Sequence, residues 1–257
     1  MVETDHFLAL AIDLADAAGA AIRPYFRRPI AVDDKPDLSP VTVADRAAEA
    51  AMRQLITARF PEHGIIGEEF GREREEADFV WVLDPIDGTK SFISGVPLFG
   101  TLIALAHQGR PILGIIDQPI SRERWIGASG HPTTLNGTPV RCRPCAALAG
   151  ATVFATSPDM FKGDDADAFS RVAASAKLVR FGADCYAYGI LAHGFIDLVI
   201  EASLKPYDFS AMVPIVEGAG GIASDWRGRQ LSLASDGRVL VAGDRRAHQQ
   251  ALRLLAA

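Results

Sequence analysis

Four carboxylates stand where apolar stretches of this chain stop or a helix starts: Glu68 after GIIG, Asp84 and Asp87 after VWVL, and Asp208 after LKPY. Open α/β sheets place their ligands at such strand ends. Asp84 and Asp87 are close enough in sequence to repel each other, a cost that a cation between them removes. With no His or Cys in the set, these are hard oxygen ligands, suited to Mg²⁺ or Mn²⁺ rather than zinc. Pro85 stiffens the turn between the aspartates, and the Ile86 carbonyl is free to add another oxygen. Two divalent ions held side by side would stabilise the attacking and leaving oxygens of a phosphoryl transfer.

Gly88, Thr89 and Lys90 follow at once. Gly88 lets the backbone approach an oxyanion closely, and N–H groups of the turn can cradle a phosphate at a helix start. The Thr89 hydroxyl can hold a water whose proton passes to an acidic partner such as Asp45. Each residue also has an ordinary structural reading. Asp-Pro and Asp-Gly are common turn dipeptides. Asp45 and Asp208 could be helix caps, and Glu68 with Glu69 a solvated loop pair. Taken jointly, with DPIDGT intact, the functional reading prevails.

The elements that must carry these residues alternate between helix and strand. Phe7, Leu8, Ala11, Leu14, Ala15, Ala18 and Ile22 make a helical stripe over residues 5–26. Ala44, Ala47, Ala48, Ala51 and Leu55 make a second, opening at a Thr42/Asp45 capping box and closing at Pro61. Strands are predicted over 64–70, 80–83, 98–107, 111–117 and 124–128, with HQGR as a hairpin turn. Further on, strands over 151–157, 177–182, 197–202 and 238–244 alternate with helices over 165–176, 186–193, 209–219 and 245–255. No linker or low-complexity segment divides the chain. The mixture predicts a layered α/β (α+β) domain, with helices packed over mixed sheets.

A formal charge of −6 over 257 residues argues against a general nucleic-acid binder. It does not argue against an anionic substrate, because bound cations invert the local field. The acidic first residues lack the basic region of a signal peptide, and the apolar stretch Val96–Ala106 is well short of a ~20-residue membrane span. Three cysteines suit a reducing cytoplasm better than a disulfide framework. Cys142 and Cys145 form a CxxC with no second pair and no nearby His pair, so they read as incidental thiols on a surface loop. The histidines show no ligand spacing.

GEE at Gly67–Glu69, DPIDGT at Asp84–Thr89 and YDFSAMVPIVEGAGG at Tyr207–Gly221 resemble the inositol monophosphatase family over essentially the whole chain. The resemblance implies a single domain over residues 1–257, an αβαβα layered sandwich of the inositol monophosphatase / fructose-1,6-bisphosphatase type. Its metal-binding half would run to about residue 145 and its substrate-side half from about 146. It implies a cytoplasmic, homodimeric, lithium-sensitive phosphatase of small phosphorylated metabolites, with no nucleic-acid or membrane partner. The cofactor would be Mg²⁺, roughly two or three ions, with Mn²⁺ as a substitute. Matched motif by motif, Glu68, Asp84 and the Ile86 carbonyl would bind a first metal. Asp84 would bridge to a second, held by Asp87 and Asp208. Thr89 and Asp45 would position and activate the attacking water, and the N–H groups of Gly88 and Thr89 would hold the phosphate.

Two departures bear on the substrate. The motif reads DPIDGTKSF where inositol enzymes have DPIDGTTNF, and GADCYAYG fills Gly182–Gly189. With the stretch that follows, this looks like the histidinol-phosphate phosphatase branch, which implies hydrolysis of L-histidinol phosphate in histidine biosynthesis. Asp184 and Glu201 are then the expected substrate contacts, because a carboxylate suits an ammonium group. Singly, they also read as a surface Asp and a strand-end Glu. The alternatives are hydrolysis of inositol 1-phosphate or another small metabolite, including 3′-phosphoadenosine 5′-phosphate, whose relatives also carry GTK. A non-catalytic phosphometabolite-binding regulator is the reading from another class, and the intact ligand set argues against it.

Overall fold

The computed structural model describes residues 4–34 and 40–256. The chain opens with α1 (Asp5–Ile22), β1 (Val32–Asp34), β2 (Pro40–Thr42) and α2 (Val43–Arg59). Next come β3 (Gly64–Gly67), β4 (Gly71–Glu73), β5 (Phe79–Asp87), α3 (Thr89–Ile93), β6 (Gly100–His107), β7 (Arg110–Gln118), β8 (Glu123–Ala128), β9 (Thr134–Leu135) and β10 (Thr138–Pro139). The remainder is β11 (Thr152–Ala155), α4 (Asp164–Ser175), β12 (Leu178–Phe181), α5 (Tyr186–Ala192), β13 (Leu198–Glu201), α6 (Pro206–Phe209), α7 (Met212–Gly218), β14 (Ile222–Ser224), β15 (Val239–Ala242) and α8 (Arg245–Leu255).

An eight-stranded sheet runs in the order β10-β9-β8-β7-β6-β5-β3-β4, antiparallel throughout except where β3 lies parallel to β5. A five-stranded sheet follows the order β12-β11-β13-β15-β14. Helices α1 and α2 cover one face of the larger sheet, α5 to α7 lie between the sheets, and α4 and α8 cover the outer face of the smaller. This is the αβαβα sandwich. Alanines at 11, 15 and 18 of α1 and at 44 and 48 of α2 are fully buried, and their small side chains let the two helices approach closely. Along β5 the side chains alternate: Trp81 and Leu83 pack under that helix pair, whereas Val80 and Val82 face the middle layer. Asp84 continues the second series, toward α6.

Several predicted bounds move for local reasons. The first helix stops at Ile22, not Phe26, because Pro24 has no N–H for the Ala20 carbonyl; a tight turn, Arg23–Tyr25, follows. The strand expected over 64–70 ends at Gly67. The helix expected over 209–219 is two helices broken at Ser210–Ala211, since Pro214 cannot bond back to Ser210. It also begins earlier, with Pro206 in its first turn, so Asp208 lies inside α6 rather than ahead of a helix. The buried face of α2 is Ala44, Ala48, Met52 and Ile56, with Ala47, Ala51 and Leu55 only half-buried. The HQGR turn is as expected, with Gln108 and Gly109 both at positive φ in a two-residue hairpin. Cys142 and Cys145 are unbonded to each other, but they are not surface thiols: the first is half-buried and the second buried. Burial pushes the Cys142 thiol up to about 11 and raises Cys145 as well.

Candidate active site

Pairing between β5 and β6 is regular as far as Asp84 opposite Leu102; the register then shifts, and Asp87 lies opposite Gly100. The Thr101 hydroxyl donates to the Pro85 carbonyl at 2.8 Å and pins the irregular segment. Such bulges re-aim side chains at the end of a strand. Here Asp84 and Asp87 meet Asp208 of α6, each offering a carboxylate oxygen, all within 4.8 Å of one another. Glu68 reaches the same place by register. Gly67 of β3 pairs with Leu83, and the Glu68 N–H donates to the Leu83 carbonyl at 3.2 Å, one step from Asp84.

The carboxylates are held where water solvates them poorly. Burial, then the charges of Glu68, Asp87 and Asp208, push the Asp84 carboxyl well above the usual range. Burial, then Asp184 and Asp208, do the same to Asp87, even though its Oδ2 accepts the Cys185 N–H at 2.6 Å. Asp208 is pushed up to about 7, burial outweighing the Lys205 N–H that it accepts at 2.6 Å. Asp84 Oδ1 is buried and has no hydrogen-bond partner. An orphaned carboxylate oxygen among like charges is costly in a protein interior. A divalent ion removes both costs, and the all-oxygen donor set fits Mg²⁺ or Mn²⁺. The Ile86 carbonyl accepts from the Thr89 hydroxyl at 3.1 Å and has a second lone pair to offer.

Beside the cluster opens a cavity of about 320 Å³, whose walls include Glu68, Asp87, Gly88, Thr89, Asp184, Glu201 and Asp208. Gly88 has φ +87°, and a Cβ there would press on the Asp184 side chain at 3.1 Å. Its missing side chain is what brings Asp184 against the DPIDGT turn. Asp45 is fully buried at the start of α2, near enough to Glu68 for their charges to interact. Its Oδ2 accepts the Thr42 N–H at 2.9 Å and the Thr42 hydroxyl at 2.6 Å, while its Oδ1 has no partner. The capping box is therefore real, and Asp45 still keeps one oxygen uncommitted. Burial raises its pKa. Among the described residues no hydrogen bond joins Asp45 to Thr89 directly.

Asp184 and Glu201 share the cavity but differ in freedom. Asp184, at positive φ, accepts one hydrogen bond among the described residues, from the Ser91 hydroxyl to Oδ2 at 2.9 Å. Burial raises its pKa, with Ser91 and Lys90 opposing. Glu201 is buried at the end of β13 and fully engaged. Its Oε1 accepts the Thr156 N–H at 2.9 Å and the Thr156 hydroxyl, and its Oε2 the Tyr188 hydroxyl at 2.6 Å. Sequence reasoning missed Thr156, Tyr188, Ser91 and the Cys185 N–H as supports of these carboxylates. Tyr188 and Cys185 lie within the GADCYAYG stretch, a signal that pointed to the right segment without saying which residue does what.

The sequence profile of the family described as "Inositol monophosphatase family" matches residues 3–257. The chain is 52% identical over 262 residues to "Bifunctional phosphatase IMPL2, chloroplastic" of Arabidopsis thaliana, a match covering 98% of this chain and 76% of that one. It is 39% identical to "Histidinol-phosphatase" of Chlorobaculum parvum, covering 90% of each. Its fold is similar to the solved structure of an inositol monophosphatase from Zymomonas mobilis, with a TM-score of 0.92 and 47% identity over 100% of both chains. Among the described residues no helix is long and apolar enough to cross a membrane.

Proposed function

The chain belongs to the inositol monophosphatase family and is a phosphatase, and we propose that it hydrolyses monoesters of small polyol-like metabolites, inositol phosphates among them, with Mg²⁺ or Mn²⁺ as cofactor. The observation that carries this is the meeting of Asp84, Asp87 and Asp208 at the rim of a cavity that also presents Thr89 and the Gly88 turn. Asp84, Asp87, Asp208, Glu68 and the Ile86 carbonyl would hold the cations. When bound, these supply charge neutralisation at the phosphoryl oxygens and make water a stronger nucleophile at neutral pH. The N–H groups of Gly88 and Thr89 orient the phosphate. The Thr89 hydroxyl, released from the Ile86 carbonyl, aligns the attacking water. Asp45, with a raised pKa and a free oxygen, receives that water's proton. The water oxygen bonds phosphorus while the ester P–O bond breaks; the departing alkoxide takes up a proton from solvent, and Asp45 returns to solvent the one it received, so that one alcohol and one hydrogen phosphate are formed for each water consumed.

A second reading makes L-histidinol phosphate the substrate. What favours it is Asp184, a carboxylate with a free oxygen on the cavity wall, and the likeness to histidinol-phosphatases. The fold neighbours and the bifunctional relative support the broader reading more strongly. Phosphate release with Mg²⁺ across inositol 1-phosphate, histidinol phosphate, 3′-phosphoadenosine 5′-phosphate and fructose 1,6-bisphosphate separates the two. Comparable kcat/KM on inositol and histidinol phosphates supports the broader reading. A preference of about 100-fold or more for histidinol phosphate, abolished selectively by Asp184→Asn, would replace it with the second; truncating one partner of a buried charge pair costs about that much.

A further inference from the structure

The buried face of α2 carries a second charged pair, one turn beyond Asp45. Glu49 is fully buried and Arg53 nearly so. Glu49 caps the turn that follows β3: its Oε2 accepts the Glu69 N–H at 2.7 Å and its Oε1 the Phe70 N–H at 3.1 Å. Arg53 holds Glu49 from the other side, Nε to Oε1 at 2.8 Å. The same guanidinium donates to the Gly71 carbonyl and to Glu73 Oε1, the latter at 2.7 Å. Gly67 is what admits the clamp, since a Cβ there would run into the Glu49 carboxylate. Every residue from Gly67 to Gly71 is thus tied, directly or through a neighbour, to one helix face.

Glu68 lies inside this clamped turn. Its backbone is fixed on one side by the Leu83 carbonyl and on the other by the Glu69 and Phe70 amides on Glu49. A loop residue free to rotate would lose entropy on meeting a cation; a preset one loses less. We propose that Glu49, held by Arg53, is a positioning residue for cation binding: it presets the turn so that the Glu68 carboxylate faces Asp84 before the cation arrives. Because Asp45, Glu49 and Arg53 follow at intervals of four on one helix, α2 sets the proton acceptor and this ligand as one rigid unit. The inference rests on the reading of Glu68 as a cation ligand.

The test is Mn²⁺ affinity of the full chain, measured by electron paramagnetic resonance without substrate. Glu68→Gln, Glu49→Gln and Arg53→Lys are compared with wild type. Outer partners of metal ligands typically contribute about 10–100-fold to affinity. Glu49→Gln is expected to weaken Mn²⁺ binding about 10-fold or more and Arg53→Lys by less. Half-saturating Mg²⁺ for turnover should rise in parallel, with kcat at saturating Mg²⁺ held within about 3-fold. Melting in chelator separates this from general damage: Arg53→Lys keeps the helix charge and serves if Glu49→Gln does not fold. Unchanged Mn²⁺ affinity in the folded clamp variants, beside a clear loss in Glu68→Gln, would overturn the clamp alone. No loss in Glu68→Gln would remove the ligand reading and the clamp with it.

Discussion

Asp197 and Asp84 are each 2% exposed, yet the fold treats them in opposite ways. Asp197 accepts Arg143 Nε at 2.7 Å, Arg143 Nη2 at 2.6 Å and the Thr152 N–H at 2.7 Å. Asp84 faces Glu68, Asp87 and Asp208, and one of its oxygens has no partner. The chain compensates a buried carboxylate where the role is to tie a loop to β11. At the end of β5 it gathers Asp84, Asp87 and Asp208 close together with no cationic side chain paired to them among the described residues, an arrangement that favours the uptake of protons or a cation. The first region spends carboxylates on folding; the second gives up stability for a binding site.

The largest expected effect separates them by chemistry. Asp87→Asn should lower kcat by about three orders of magnitude, roughly 4 kcal/mol of transition-state stabilisation, at Mg²⁺ levels that saturate wild type. Steady-state phosphate release measures it, and a kcat near wild type would make Asp87 a bystander. Asp197→Ala should leave kcat per folded molecule nearly unchanged while costing about 2–3 kcal/mol in urea unfolding, because it strips a charge-assisted anchor from Arg143 and Thr152. A smaller, graded effect is the response to pH. Asp84, Asp87 and Asp208 have folded pKa values raised above the unfolded carboxyl range, so the metal-free folded state binds more protons there. Its stability is fullest below about pH 4 as far as these groups contribute, and is lost as pH rises toward the Asp208 value of about 7. Mg²⁺ displaces those protons, so its stabilising effect should grow over the same interval. Melting curves in chelator and in Mg²⁺ across that range check both signs.

Much of the site was legible because its strongest signals are local. DPIDGT packs two carboxylates, a carbonyl, a glycine turn and a hydroxyl into one short segment, and the apolar run before it announces a strand end. Asp208 was identified by type, but its place inside α6 depended on Pro206 and Pro214, whose separate effects on one apolar stretch sequence periodicity does not resolve. The Glu49–Arg53 pair was not read at all. Charges spaced by four on an alanine-rich helix ordinarily face water, and only the neighbouring turn, which offers amides in place of water, makes their burial favourable. Glu201 illustrates a third limit. A strand-end Glu was named, yet its partners Thr156 and Tyr188 come from the residue just past the end of β11 and from a middle-layer helix, a juxtaposition that tertiary packing creates. The same holds for Ser91 beside Asp184, which depends on Gly88 having no side chain.

The central claim is that the carboxylates at the end of β5 are mutually repelling until a divalent cation joins them. Its most direct test is the melting temperature of wild type and Asp87→Asn, each in chelator and in saturating Mg²⁺, at a pH about one unit above the Asp208 value. The account predicts that Mg²⁺ raises the wild-type midpoint by several degrees, that Asp87→Asn in chelator melts at or above wild type in chelator, and that the mutant gains little from Mg²⁺. A wild-type midpoint indifferent to Mg²⁺, or a mutant that melts well below wild type in chelator, would contradict it.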